Sequence, residues 1–171
     1  IEGRVELDHA AVATPLGALT GSWGIQASNR KLGTAGVLGG LLAPTNTDAV
    51  GGFAFEQLQL NDTLKLQAAG RIETLTVSGM AATFPADFLP PPDTFSESGA
   101  TRTFTPRSVS CGLLESLPWD MVVSLNASRT QRAPGAPELF SRGSDGASGT
   151  FVIGNPNLKI ETAESVELGV K

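Results

Sequence analysis

The chain has 171 residues, long enough for a core of its own, yet only 17% of them are Asp, Glu, Lys or Arg, against roughly 25% in soluble domains. A net charge of −5 and a pI near 4.8 leave no basic surface for a nucleic acid backbone, and the Lys and Arg residues are scattered singly. The single Cys and single His exclude an internal disulfide and any Cys/His cluster of metal-site spacing, and no run of about 18 apolar residues exists to form a transmembrane helix.

A mean hydropathy of +0.04 conceals two faces that the order of residues separates. The opening Ile1-Glu2-Gly3-Arg4 spells a protease-cleavage tag and contains no secretion signal. The alternation nevertheless begins inside it: Val5, Leu7 and Ala11 against Arg4, Glu6 and Asp8. Successive side chains of a strand point to opposite sides, so this pattern predicts a strand with one apolar and one polar face. Pro15-Leu16-Gly17 reads as a tight turn. From residue 19 to 30, Leu19, Gly21, Trp23, Ile25 and Ala27 alternate with Thr20, Ser22, Gln26, Ser28 and Arg30. Residues 31 to 46 form a long connection. Over 47 to 60 the phase slips from Phe53 and Phe55 to Leu58 and Leu60, which predicts a bulge or a strand end.

Asn61-Asp62 is a second tight turn, followed by alternation of Leu64, Leu66, Ala68, Gly70 and Ile72 with Lys65, Gln67, Arg71 and Glu73. Residues 78 to 104 read as a second long loop, because Phe84-Pro85, Pro90-Pro91-Pro92 and a Ser/Thr/Gly-rich tail cannot continue a ladder. Cys111 falls in a stretch of apolar alternation and reads as a small packed hydrophobe. Pro118-Trp119-Asp120 is a third tight turn, where Trp119 suits a membrane–water interface. Met121, Val123, Leu125 and Ala127 then alternate with Ser124, Asn126, Ser128 and Thr130. A third long stretch, 132 to 163, holds the one helix-like span, near Ala136 to Ser141. The last strand sets Val166, Leu168 and Val170 against Ser165, Glu167 and Lys171.

Short turns alternating with long loops between strands of about ten residues is the pattern of a transmembrane barrel, with the long loops outside the cell. The fold class expected is all-β: an antiparallel transmembrane β-barrel segment of about eight strands, with short turns on one rim and long loops on the other. A soluble, secreted or surface β-sandwich binding module also alternates, but its strands are usually shorter.

The stretch QRAPGAPELFSRGSDGASGTFVIGNPNLKIETAESVELGVK, residues 131 to 171, resembles the barrel of TonB-dependent outer-membrane receptors. The resemblance rests on Arg132-Ala133-Pro134, Glu138-Leu139-Phe140, Asn155-Pro156-Asn157-Leu158, Glu161 and Glu167-Leu168-Gly169. Residues 5 to 73 resemble earlier strands of the same family more loosely. The resemblance implies one partial barrel domain over 1–171, part of a barrel of about 22 strands. A plug domain upstream and further strands downstream lie outside this sequence. It also implies a Gram-negative outer-membrane location and transport of a scarce metal or metal complex (siderophore, heme or metal ion). The implied partners are that ligand, outer-membrane lipid, and the TonB energy-coupling protein acting through the plug. No cofactor is expected, nor nucleic acid. No GxSxG motif or metal-ligand spacing suggests an enzyme.

Pro134 and Pro137 end a strand, and Asn155-Pro156-Asn157 turns the chain back to the membrane. Glu161 and Glu167 then point to the polar interior. These residues act first as turn and register markers. As candidate ligand contacts, Arg132, Glu138, Asp145, Asn155 and Asn157 stand in the third loop, with Phe84 and Phe88 in the second. Related heme and metal receptors carry a His in the 132–163 stretch. Here Asp145 stands there and no His occurs from 132 to 171, which argues against a His-held heme or metal. His9, on the face of Val5 and Leu7, is expected at the membrane rim or in a merely tolerated position, rather than as a ligand.

Overall fold

A computed structural model describes residues 1–35, 40–85, 87 and 95–171. The alternating stretches all form strands, β1 (Glu2–Thr14), β2 (Gly17–Leu32), β3 (Thr45–Gln59), β4 (Leu64–Thr83), β6 (Arg107–Leu117) and β7 (Met121–Arg132), and a further strand, β5 (Ser96–Phe104), forms within the span read as loop. A five-residue helix α1 (Ala136–Phe140) and a hairpin, β8 (Arg142–Asp145) with β9 (Thr150–Ile153), precede the last strand, β10 (Glu161–Val170). Eight strands make one antiparallel sheet in the order β1-β2-β3-β4-β6-β7-β10, with β5 also on β4; β8 and β9 pair separately. The architecture is that of an all-β barrel segment, as expected.

β5 and β6 share one neighbour. β5 pairs with Leu75–Thr83 of β4 and β6 with Leu64–Ile72. Pro106 lies between them and has no N–H to give the ladder. Its carbonyl still accepts from the Glu73 N–H at 3.1 Å, so the two strands run on as one interrupted strand.

Because every pairing in the large sheet is antiparallel, the short turns after β1, β3 and β6 lie on one rim. The long connections after β2, β4 and β7 lie on the other, the arrangement of a membrane barrel.

Register decides the faces. Leu19, Leu58, Leu66, Leu113, Leu125 and Leu168 are successive cross-strand partners from β2 to β10. One residue away, Thr20, Gln57, Gln67, Gly112, Asn126 and Glu167 form an equally continuous row on the opposite face. A slip of one residue would exchange the rows, so a medium that is apolar on one side only fixes this register. Val5, Trp23, Ile25, Val109 and Val166, all on the leucine face, are more than half exposed. Among the described residues no second sheet covers that face, as a β-sandwich would require.

Two expectations are corrected. β3 keeps unbroken register with both neighbours. The slip near Phe53 is a change of face use: Phe53 and Phe55 lie on the polar side with Gln57 and Gln59, while Leu58 lies on the leucine side. The register shift occurs instead in β1, between His9 and Val12. The span 78–104 is not wholly loop either, since β4 runs to Thr83 and β5 occupies Ser96–Phe104. Above Ile72 the leucine face becomes polar, with Thr76 and Ser78 hydroxyls 3.1 Å from those of Thr103 and Thr101. A strand in water on its outer side needs no apolar alternation, so the pattern ended where the apolar band ended.

Cys111 is exposed on the leucine face between Ala68 and Ala127, rather than packed. The Pro118-Trp119-Asp120 turn holds two non-glycine residues at positive φ, 66° and 58°, each costing roughly 1–2 kcal/mol.

Candidate functional site

The polar side of the upper sheet carries the one buried apolar cluster among the described residues: Leu42, Val77, Phe104, Ala136, Leu139 and Phe140. The connection after β7 folds onto that side and supplies half of the cluster through α1. Pro137 stands in its first turn and Glu138 caps its N-terminus, the Glu138 carboxylate accepting from the Gly135 N–H at 2.6 Å. The Phe140 ring lies against Gly79 of β4, where a Cβ would stand 2.6 Å from its Cδ2. Any other residue at 79 would lift the helix.

Arg132 and Glu161, the last residue of β7 and the first of β10, are direct cross-strand partners. The Arg132 guanidinium donates to both oxygens of Glu138 at 2.9 and 2.8 Å, and to Glu161 at 3.1 and 2.8 Å. The Arg132 fork and then the Gly135 N–H hold the Glu138 carboxyl below the usual carboxylate range. The Asn155-Pro156-Asn157 turn docks on the same helix. The Asn155 N–H donates to the Glu138 carbonyl at 2.9 Å and the Gly154 N–H to that of Ser141 at 2.7 Å. The Asn155 side-chain oxygen accepts from the Asn157 N–H at 2.9 Å. Four of the expected residues, Arg132, Glu138, Asn155 and Asn157, therefore meet in one assembly that ties α1 to the mouths of β7 and β10.

Asp145 stands apart, at the tip of the β8–β9 hairpin. It accepts from the Ala147 N–H at 3.0 Å and the Ser148 hydroxyl at 2.8 Å. The Ala147 N–H and then the Ser148 hydroxyl lower its pKa. Phe84 belongs to a ring cluster, 5.1 Å from Phe95 and 5.9 Å edge-on to Phe151. Phe88 lies outside the described residues.

The sequence reading missed Arg142 and Phe151. Arg142 is mostly buried, forms an ion pair with Glu97, and stands 5.7 Å from the Phe95 ring centre. Its backbone N–H donates to the Leu41 carbonyl at 2.8 Å. The three long connections thus converge: 33–44 through Leu41 and Leu42, 84–95 through Phe84 and Phe95, and 133–160 through Arg142 and Phe151. No local pattern announces contacts between residues so far apart in sequence.

His9 lies on the leucine face, its Nε2 3.0 Å from Glu56 across Gly21. Among the described residues no three His, Cys, Asp or Glu side chains are grouped to hold a metal ion. What the long-connection rim offers is a scaffolded surface of aromatic rings, one guanidinium and hydrogen-bonding turns, suited to binding.

Compared with curated proteins, the chain matches none. A family model, TonB dependent receptor-like, beta-barrel, matches residues 3–171, and the chain belongs to that family of outer-membrane transport receptors.

Proposed function

We propose that this chain is part of a receptor in the Gram-negative outer membrane that takes up a scarce metal held in an organic complex, such as a siderophore or heme. The single observation behind this reading is the ring cluster of Phe84, Phe95 and Phe151 beside Arg142, where the long connections meet. Planar rings and a guanidinium suit a chelate with aromatic and anionic groups. A bare metal ion would need clustered ligands instead.

In this reading Phe84, with Phe88 from the same connection, contacts the ligand. Arg132, Glu138, Asn155 and Asn157 fix the loop that presents Arg142 and Phe151, and Asp145 shapes the hairpin tip. The domain extends beyond 1–171: adjoining strands pair with β1 and β10, which are edges of the sheet, because an unpaired edge is unfavourable in lipid. A plug fills the lumen and couples to the TonB energy-coupling protein.

Deleting residues 84–95 in the full-length receptor is expected to weaken chelate binding about tenfold or more, by loss of ring contacts, while heat-modifiable gel mobility still reports a folded barrel. Unchanged affinity in a folded deletion variant would refute the proposed contact.

A further inference from the structure

We propose that Glu97 sets the charge selectivity of the rim site: its carboxylate occupies Arg142 until an anionic ligand takes its place. The inference rests on the chelate reading above and adds to it the sign of the ligand's charge. Two guanidiniums at the same rim differ in how their donors are used. Arg132 commits Nε and both Nη nitrogens to Glu138 and Glu161, so it has little left for a ligand. Arg142 pairs with Glu97 through Nη1, while its Nε is buried with no hydrogen-bond partner among the described residues. A guanidinium fork meets a carboxylate best with two parallel bonds, and a buried donor left without an acceptor is costly. The Glu97 contact is therefore a partial fit that a better-placed anion can improve.

The two sides of the pair are not held alike. The Arg142 backbone N–H donates to the Leu41 carbonyl at 2.8 Å. At Gly143 a Cβ would stand 2.5 Å from the Gly40 carbonyl oxygen, so the backbone that carries the guanidinium is packed from behind. Glu97 lies near the start of β5, which among the described residues pairs with β4 alone. Its side chain is also the more exposed of the two, 31% against 13%. An arriving ligand meets the carboxylate first, and Glu97 is the partner free to swing into water.

The surroundings fit the exchange. Phe95 stands 5.7 Å from the guanidinium and Phe84 5.1 Å from Phe95, so rings flank the place that Glu97 would leave. A neutral chelate stacks on those rings with the ion pair intact. An anionic chelate gains Arg142 only by displacing Glu97, because two anions on one half-buried guanidinium repel each other.

The test compares the full-length receptor in detergent, wild type and Glu97→Gln, with heat-modifiable gel mobility as the check that both are folded. Gln keeps the size of Glu and one accepting oxygen but removes the charge. The probes are an iron(III) tris-catecholate complex, which is anionic, and a neutral iron(III) trihydroxamate complex. Glu97→Gln should bind the tris-catecholate roughly tenfold more tightly and the trihydroxamate with unchanged affinity. Placed in an Arg142→Gln background, the same substitution should give no gain. An unchanged or weaker affinity for the anionic probe, an equal gain for both probes, or a gain that persists without Arg142 would overturn the role of Glu97 and leave the chelate reading in place. Binding of neither probe by any of these proteins would remove the chelate reading, and this proposal with it.

Discussion

Arg132 shows how a single side chain can organise a loop. Its planar fork reaches two carboxylates on separate elements, Glu138 of α1 and Glu161 of β10, which a lysine could not do with the same geometry. All three groups are substantially exposed, so the assembly contributes position more than stability. Asp145 has a comparable local role, and its pH dependence follows from the sign of its shift. A carboxyl whose pKa is lowered by folding contributes stability above its ordinary unfolded pKa, and loses it as pH falls through the folded value. The β8–β9 tip should therefore loosen below about pH 4, seen as faster hydrogen exchange at Ala147 and Ser148 after correction for intrinsic rates. Asp145→Ala should produce the same loosening at neutral pH; slow exchange in that variant would show that the hairpin holds without the carboxylate.

At the scale of elements, the informative one is the smallest. An isolated five-residue helix has no stability of its own, so α1 exists because Leu139 and Phe140, both fully buried, dock on β4. Gly79 permits that docking. Phe140→Ala should cost about 3 kcal/mol of local stability, read as increased exchange in α1 and the upper end of β4, with the lower sheet unchanged. A loss spread evenly over all strands would contradict the picture of a separately docked loop. The same contacts place Arg142 and Phe151 beside Phe84 and Phe95, so the mutation should also weaken any chelate binding at that rim.

Across the whole molecule, the two cross-strand rows make a direct claim about solvent. Leu125 and Asn126 are neighbours in sequence on opposite faces. In vesicles, Leu125→Arg should destabilise the full-length barrel by about 2–4 kcal/mol, as a charge facing lipid does. Asn126→Arg, facing the polar interior, should cost far less. Urea unfolding of both variants in the same vesicles compares them, and equal costs would mean that the faces are assigned the wrong way round. The Arg129–Glu164 pair lies on the leucine face beside Val109, nearer the long-connection rim, where charged groups can reach water.

Alternation, turn residues and the short–long rhythm of connections made the strands, the three tight turns and the two faces legible in the sequence, because a period of two is a local property of each strand. The RAP and NPNL stretches marked the third loop, and their Pro and Asn residues announced its turns. The upper ends of β4 and β5 escaped notice because water bathes their outer side and leaves no apolar signature. Phe53 and Phe55 misled for the converse reason, as large apolar residues on the polar face. The tertiary structure alone decided that α1 folds back onto β4, that Arg132 is shared by two carboxylates, and that Arg142 meets rings from another loop. Those contacts join segments distant in the chain through packing and hydrogen bonds, whose partners are fixed only when the sheet has brought its long connections to one rim.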